Sequence, residues 1–423
     1  MSAVRPAGTP RPAADLTRLP SLTGMRWIAA LLVFLTHVSV AKPFDSPALN
    51  GLMADYLSRA GFLGVGFFFV LSGFVLTWSA REGDRPSAFY RRRLFKLYPN
   101  HAVTWLVGLL LMARAGAEVT TAGTVPSLLL VQSWIPSLEV IGGTNGPSWS
   151  LACEVLFYLS FPVVMPLVRR IRPERLWLWV GVTTAVLFAL PLIAQLLPGS
   201  PDSPWQPLSF WRYWFVYFLP AARLPEFVLG ILLARIVRTG RRVAVGWPAA
   251  ALLTAAGYAL MITLPDAWGM AAPTALPIGL LIAAVAARDA AGVGTPFAGR
   301  TMVWLGEVSF AFYMVHFLVI QYGPLGLAAT GSAGANTWDT PGALGVMAIT
   351  LALSIGFGWA LYRLVEIPVM RRWGRSARAG APAATAPAAA PAPAVGTGAT
   401  STGATSAGAT SAGATSAGAA VGR

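Results

Sequence analysis

The chain has 423 residues, 56% of them hydrophobic and 11% charged, with a mean hydropathy of +0.62. Several apolar runs approach twenty residues, which excludes an ordinary soluble domain and points to a polytopic membrane protein. The net charge of +15 would suit nucleic acid only if the basic residues formed one surface, and they sit instead between the apolar runs, so no nucleic-acid partner is expected.

Residues 1–20 carry Pro, Ala and Arg without a long apolar core, and read as a disordered N-terminal segment, not a cleaved signal peptide. Residues 21–375 form the membrane domain, an all-α bundle. Ten helical spans are predicted, at 25–42, 61–80, 99–114, 149–168, 176–197, 220–237, 243–264, 270–287, 301–322 and 343–364. With the N-terminus inside, the cytoplasmic tails, loops and rims hold 26 of the 31 Lys and Arg residues, the others being Lys42, Arg59, Arg114, Arg212 and Arg223. This asymmetry assigns both termini to the cytoplasm, and the protein to the cytoplasmic membrane.

Span one, MRWIAALLVFLTHV, holds Arg26 and His37. A helix sets residues eleven apart about 20° apart in azimuth and about 16 Å apart along the axis, so the two share a face. Ionisable groups inside a membrane are costly and mark functional sites by default. Span two, GFLGVGFFFVLSGFVL, has Gly61, Gly64, Gly66 and Gly73; these allow close helix approach and could equally let a slim chain pass. The next connection, REGDRPSAFYRRRLFKLYPNH, crowds Arg91, Arg92, Arg93, Lys96 and His101 at the cytoplasmic mouth. That cluster is either a topology anchor or a cradle for phosphates.

The longest external connection, 115–148, contains TVPSLLLVQSWIPSL, too short and interrupted for a span, and reads as re-entrant or interfacial. Span four opens with WSLACEVLFY, in which Ser150, Glu154 and Tyr158 recur at i and i+4 on one face beside Trp149. Counted from the start of the span, Glu154 lies roughly 8 Å below the outer boundary, at the depth expected for His37. Cys153, the single cysteine, reads as a small buried apolar residue. The patch PGSPDSPWQPLSFWRYWFVYF is either an interfacial aromatic belt or a platform for a sugar ring.

Arg223 and Glu226 form an i,i+3 pair at the outer start of span six, and His316 lies about six residues from the outer end of span nine, with Ser309 and Tyr313 on its face. His37, Glu154, Arg223, Glu226 and His316 are therefore expected to cluster in the outer third of the bilayer, although packed or paired structural roles stay open for each. Residues 376–423 run through APAATAPAAAPAPAV into GATSA near-repeats and read as a disordered tail. Three histidines on separate spans, with His101 at the opposite face, do not make a ligand set, so no metal is expected.

Together these features suit a polyanionic donor at the inner arginines, a thin arm along the Arg26 to His37 face, and a histidine awaiting it near the outer surface. An acyl-CoA thioester has that shape. At these residues the chain resembles acyltransferase family 3, membrane-bound O-acyltransferases of bacterial polysaccharides, antibiotics and other glycosides. The resemblance lies in Arg26 and His37, the glycine-rich second span ending at Phe74, the element Arg92, Arg93, Lys96 and Pro99, WSLxxExxFY from Trp149 to Tyr158, RLPEFxLG from Arg223 to Gly230, and LGxxSFxxYxxH from Leu305 to His316. These follow in family order over about residues 20–372.

The resemblance implies transfer of an acyl group, by default acetyl, from acyl-CoA as co-substrate to a hydroxyl of a sugar or glycoside, with no tightly bound cofactor. His37 would be the general base and Glu154 would orient it or hold the acceptor. Tyr158, Trp149, Ser150, His316, Arg223 and Glu226 would bind substrate, and Arg26, Arg92, Arg93 and Lys96 the coenzyme. Lys96 departs from an arginine frequent in the family and loses bidentate phosphate geometry. The tail after the last span does not read as an esterase-like domain, so the expectation is that either the membrane domain acts alone or a two-step transfer calls on a separate extracytoplasmic partner protein. The alternative from another class is a transporter or flippase for a lipid-linked or secreted glycoside.

Overall fold

In the computed structural model, the described residues are 19–80, 83–243, 245–265, 267–326 and 336–374. The segments 1–18 and 375–423 lie outside them; the C-terminal disorder reading and all but the last two residues of the N-terminal one, 1–20, fall there, while Pro20 opens the first helix. Helices occupy Pro20–Ala41 (α1), Pro47–Leu57 (α2), Ala60–Ser79 (α3), Pro86–Arg114 (α4), Thr121–Leu128 (α5), Leu138–Gly142 (α6), Trp149–Arg170 (α7), Leu176–Ala194 (α8), Phe210–Tyr213 (α9), Pro220–Arg238 (α10), Trp247–Thr263 (α11), Ala272–Ala290 (α12), Arg300–Tyr322 (α13), Thr340–Leu361 (α14) and Ile367–Arg372 (α15). Wide π turns at Trp214–Phe218 and Tyr362–Glu366 connect α9 toward α10 and α14 to α15. Among the described residues there is no strand, only two isolated bridges.

Every predicted span falls on a helix. Eight helical stretches are long and apolar enough to cross a membrane. The other two predicted spans fall on α4, a 29-residue helix whose first half carries the arginine cluster, and on α11, with 17 residues. Large apolar side chains such as Leu178, Leu192, Leu252, Ile349 and Phe357 are exposed on α8, α11 and α14. In a membrane protein these are the lipid-facing surface.

The interior is built on α3, packed between α1 and α10, with α13 on the far side of α1. Lipid tails supply no hydrophobic drive for helix association, so contact depends on close packing. The α3/α10 crossing shows why glycine is needed: a Cβ on Gly73 would lie 2.0 Å from the Phe227 carbonyl oxygen, and one on Gly230 would lie 2.0 Å from that of Val70.

Helix ends within the bundle are closed by charged side chains. Asp289 accepts from the Ser21 backbone N–H (2.9 Å) and hydroxyl (2.5 Å) at the start of α1, where the positive end of the helix dipole meets a carboxylate. Arg238 Nη1 donates to the Thr77 carbonyl (2.7 Å) at the end of α3, and Arg235 Nη1 to that of Val168 (2.8 Å) near the end of α7. At the other end of the molecule Arg59 Nη1 donates to the carbonyls of Met261 (2.6 Å) and Leu264 (3.1 Å) as α11 terminates. Arg235 and Arg238, counted as topology signals, therefore also satisfy carbonyls near helix ends.

Segment 115–148 re-enters the bundle. His101, in the middle of α4, places Nε2 3.0 Å from the Ser127 carbonyl and 3.2 Å from that of Leu128, and Trp105 Nε1 donates to the Thr124 carbonyl at 3.1 Å. Thus the end of α5 lies about 20 Å back along α4 from its C-terminus, counted as the thirteen residues from His101 to Arg114. The expectation that His101 sits at the cytoplasmic mouth is corrected: it is buried at 0% exposure and anchors the re-entrant helix. Returning, the segment places Asn145 against α13, its Nδ2 donating to the Met314 carbonyl at 2.8 Å.

Candidate active site

Two cavities lie on opposite sides of a thin wall. The inner one, about 170 Å³, is at the arginine-rich end and is lined by Arg26, Arg93, Lys96, Glu154, Tyr158 and Ser150, among others. The outer one, about 620 Å³, is lined by His37, Trp149, Trp205, Tyr213, Tyr217 and Phe317, among others. Val65 and Tyr313 line both. The Tyr313 hydroxyl donates to the Pro147 carbonyl (3.0 Å) and shares a 2.8 Å hydrogen bond with Ser150 Oγ, which itself reaches Pro147 at 3.1 Å. The wall is therefore pinned to the re-entrant segment.

His37 and His316, contributed by α1 and α13, meet with Nδ1 of the first 3.0 Å from Nε2 of the second. His316 Nδ1 lies 2.7 Å from the Tyr313 carbonyl. A carbonyl only accepts, so His316 carries its proton on Nδ1 and, when neutral, leaves Nε2 as an acceptor. His37 must then donate from Nδ1, which leaves its Nε2 with a bare lone pair on a ring that lines the outer cavity. Sequence reading placed His316 on substrate; the structure places it behind His37, at 0% exposure and on neither cavity.

Ser150, Glu154 and Tyr158 share a face as their spacing predicted, and Tyr158 donates to Glu154 at 2.5 Å. That face lines the inner cavity, so the expectation that Glu154 lies at the depth of His37 is corrected. The re-entrant segment delivers the chain to α7 deep in the bundle: Asn145 already meets Met314, eight residues or about 12 Å before the end of α13. Counting depth from the start of the helix therefore placed Glu154 too near the surface.

Arg93 lies over the rings of Phe89 (5.6 Å) and Tyr158 (5.9 Å), and its buried Nε has no partner among the described residues. Arg92 pairs with Asp84 away from the cavity. Lys96 pairs with Glu366, which also accepts from Asn100 Nδ2 at 2.6 Å. Sequence reading missed Glu366, which is 3% exposed and lies 270 positions away from Lys96; its signal was a lone acid in the basic C-terminal stretch YRLVEIPVMRR. Replacing Glu366 with Ala strands Lys96 and Asn100, and the thermal midpoint of the purified protein is expected to fall, by a loss of about 3 kcal/mol; an unchanged midpoint would show that the cluster carries no stability.

Arg223 and Glu226 line neither cavity. Their side chains are 1% and 0% exposed, with Nε and Oε2 2.9 Å apart. The guanidinium lies 5.2 Å from the ring centroids of both Phe69 and Tyr217. The structure thus places this pair behind the aromatic wall and not on a substrate surface. Trp149 lies at 4.6 Å from Tyr217, and Trp205, Tyr213 and Tyr217 bring part of the aromatic patch to the cavity of His37.

The chain is thus a helical membrane bundle with a cationic chamber at one end and a histidine-bearing aromatic chamber at the other. The chain matches the acyltransferase domain model over residues 19–393 and belongs to that family, the same family that its motifs resemble. It is 42% identical over 368 residues to Acyltransferase MdmB of Streptomyces mycarofaciens, covering 85% of this chain and 94% of the relative. It is 22% identical over 398 residues to O-acetyltransferase OatA of Staphylococcus aureus, covering 84% and 57%. It is 21% identical over 332 residues to Peptidoglycan O-acetyltransferase OatA of Listeria monocytogenes, covering 71% and 49%. The chain spans about half the length of these two OatA proteins. No solved structure matches the chain. The protein is a multi-pass membrane acyltransferase.

Proposed function

We propose that the protein moves an acyl group, by default acetyl, from acyl-CoA to a hydroxyl of a sugar or glycoside. The carrying observation is the two-sided site: the cations Arg26, Arg93 and Lys96 on one side of the Tyr313 wall, a histidine with a fixed tautomer on the other. The inner cavity is too small for a whole coenzyme, so the nucleotide stays at the arginine-rich end and the thin arm enters. Arg26 and Arg93 hold anionic oxygens there, and Lys96 joins them by sharing its charge with Glu366.

The acceptor hydroxyl loses its proton to His37 Nε2 as its oxygen attacks the thioester carbonyl. The C–O bond forms, the C–S bond breaks, and the imidazolium returns the proton to the departing thiolate, which restores the neutral pair. His316 is a positioning residue: it holds the His37 ring and tautomer and stabilises the positive charge that forms there. Acyl transfer across the wall requires the arm to pass Val65 and Tyr313, so the arginine-rich end is assigned to the cytoplasm, where acyl-CoA is made.

Labelled acetyl-CoA added to membranes containing the protein is expected to yield an alkali-labile ester in the glycan or small-glycoside fraction. Complete absence of label with a folded protein and a range of acyl-CoA donors would overturn the donor assignment. Replacing His316 with Phe keeps the ring packing but removes the acceptor for His37. Turnover is expected to fall on the order of 100-fold while KM for acyl-CoA is unchanged; a matching rise in KM would place His316 in donor binding instead.

A further inference from the structure

We infer that the outer cavity is an acceptor site for an uncharged glycoside that offers an apolar face. The inference rests on the acyltransferase reading for the position of the reacting hydroxyl, and on the cavity itself for its chemistry. Among the described residues, no Asp, Glu, Lys or Arg lines this space. Its volume of about 620 Å³ lies within the range of about 300–1,000 Å³ typical of small-molecule sites.

The walls are aromatic. Tyr213 stacks on Tyr217 at 5.5 Å with planes 4° apart, Tyr217 meets Trp149, and Trp205 stands 6.2 Å from Tyr213. Such faces suit the C–H side of a pyranose or a hydrophobic aglycone. Polar groups are present but neutral. Thr36 is already committed, donating to the Leu57 carbonyl at 2.6 Å and accepting from Gly61 N–H at 2.6 Å. Gln206 and Gln321 also line the space and supply uncharged amide groups that can bond a substrate hydroxyl.

One ion pair stands behind the aromatic wall and is self-compensating. Arg223 lies on the far side of Tyr217 and is paired with Glu226. The cations of the site, Arg26, Arg93 and Lys96, all face the inner cavity. A carboxylate or ammonium brought beside His37 would lose its water without gaining a counter-ion, a penalty that disfavours binding steeply.

The test uses 4-nitrophenyl β-D-glucuronide and its methyl ester, which share every hydroxyl and differ in one charge. Binding to the purified full-length protein, without any donor, is read from quenching of tryptophan fluorescence by the nitrophenyl group. The methyl ester is expected to bind at least about 100-fold more tightly than the acid. The variant Gln206→Arg, on a residue that lines the cavity, is expected to shift preference toward the acid by supplying a partner. Acid binding within about tenfold of the ester in wild type, or no saturable binding of either, overturns the inference. Failure of the acyltransferase reading is separate: no label would leave acyl-CoA, while the binding preference would stand.

Discussion

Replacing His37 with Ala is expected to slow acyl transfer by about 10²- to 10⁴-fold, the usual contribution of a positioned general base, with membrane abundance and thermal midpoint close to wild type. The argument depends on proton bookkeeping. His316 Nδ1 donates to the Tyr313 carbonyl, so its Nε2 accepts from His37, and His37 Nε2 is the nitrogen left to take a proton. No other imidazole lines the outer cavity among the described residues. Because the truncation leaves space in a cavity of about 620 Å³, added imidazole is expected to restore part of the rate. The measurement is initial-rate ester formation with and without imidazole. Turnover within tenfold of wild type, unaided, would remove His37 from the base role.

The second large effect is on folding. Gly230→Val is expected to cost more than about 3 kcal/mol, seen as a collapse of membrane abundance and a lowered thermal midpoint. The added Cβ would sit 2.0 Å from the Val70 carbonyl oxygen and 2.9 Å from the Phe74 nitrogen. Neither atom can rotate away, so α3 and α10 must separate, and the buried aromatic layer of Phe69, Phe74 and Phe227 would lose contact along the crossing. Gly181→Val on α8, where a Cβ meets nothing within 4 Å, is the matched control and is expected to leave both readings unchanged. Equal behaviour of the two variants would show that the α3/α10 contact is not the one that limits packing.

The spans were legible because hydropathy over twenty residues is a local property, and the bilayer imposes one length on it. The shared face of Ser150, Glu154 and Tyr158 was legible for the same reason, since i,i+4 spacing fixes it. Depth was not. The start of α7 is a surface only if the preceding segment stays outside, and segment 115–148 folds inward beside His101 and Met314. Pairings between distant helices were also hidden. His37 and His316 are 279 positions apart, and Lys96 and Glu366 are 270 apart; no periodicity encodes such contacts. Arg223 and Glu226 look like site residues in sequence because ions in a span are costly, yet their charges answer each other.

The re-entrant segment borders only one of the two cavities. Residues Ile141, Gly142, Gly143, Thr144, Gly146 and Pro147 all border the outer cavity, yet segment 115–148 crosses nothing. The cationic end, by contrast, is drawn from long helices, α1, α3, α4, α7 and α13, whose faces are constrained by their neighbours throughout. Because Pro147 of the same segment also holds Ser150 and Tyr313, a shift of its backbone would reshape one chamber and move the partition to the other together, a mechanical coupling between the two ends of the bundle.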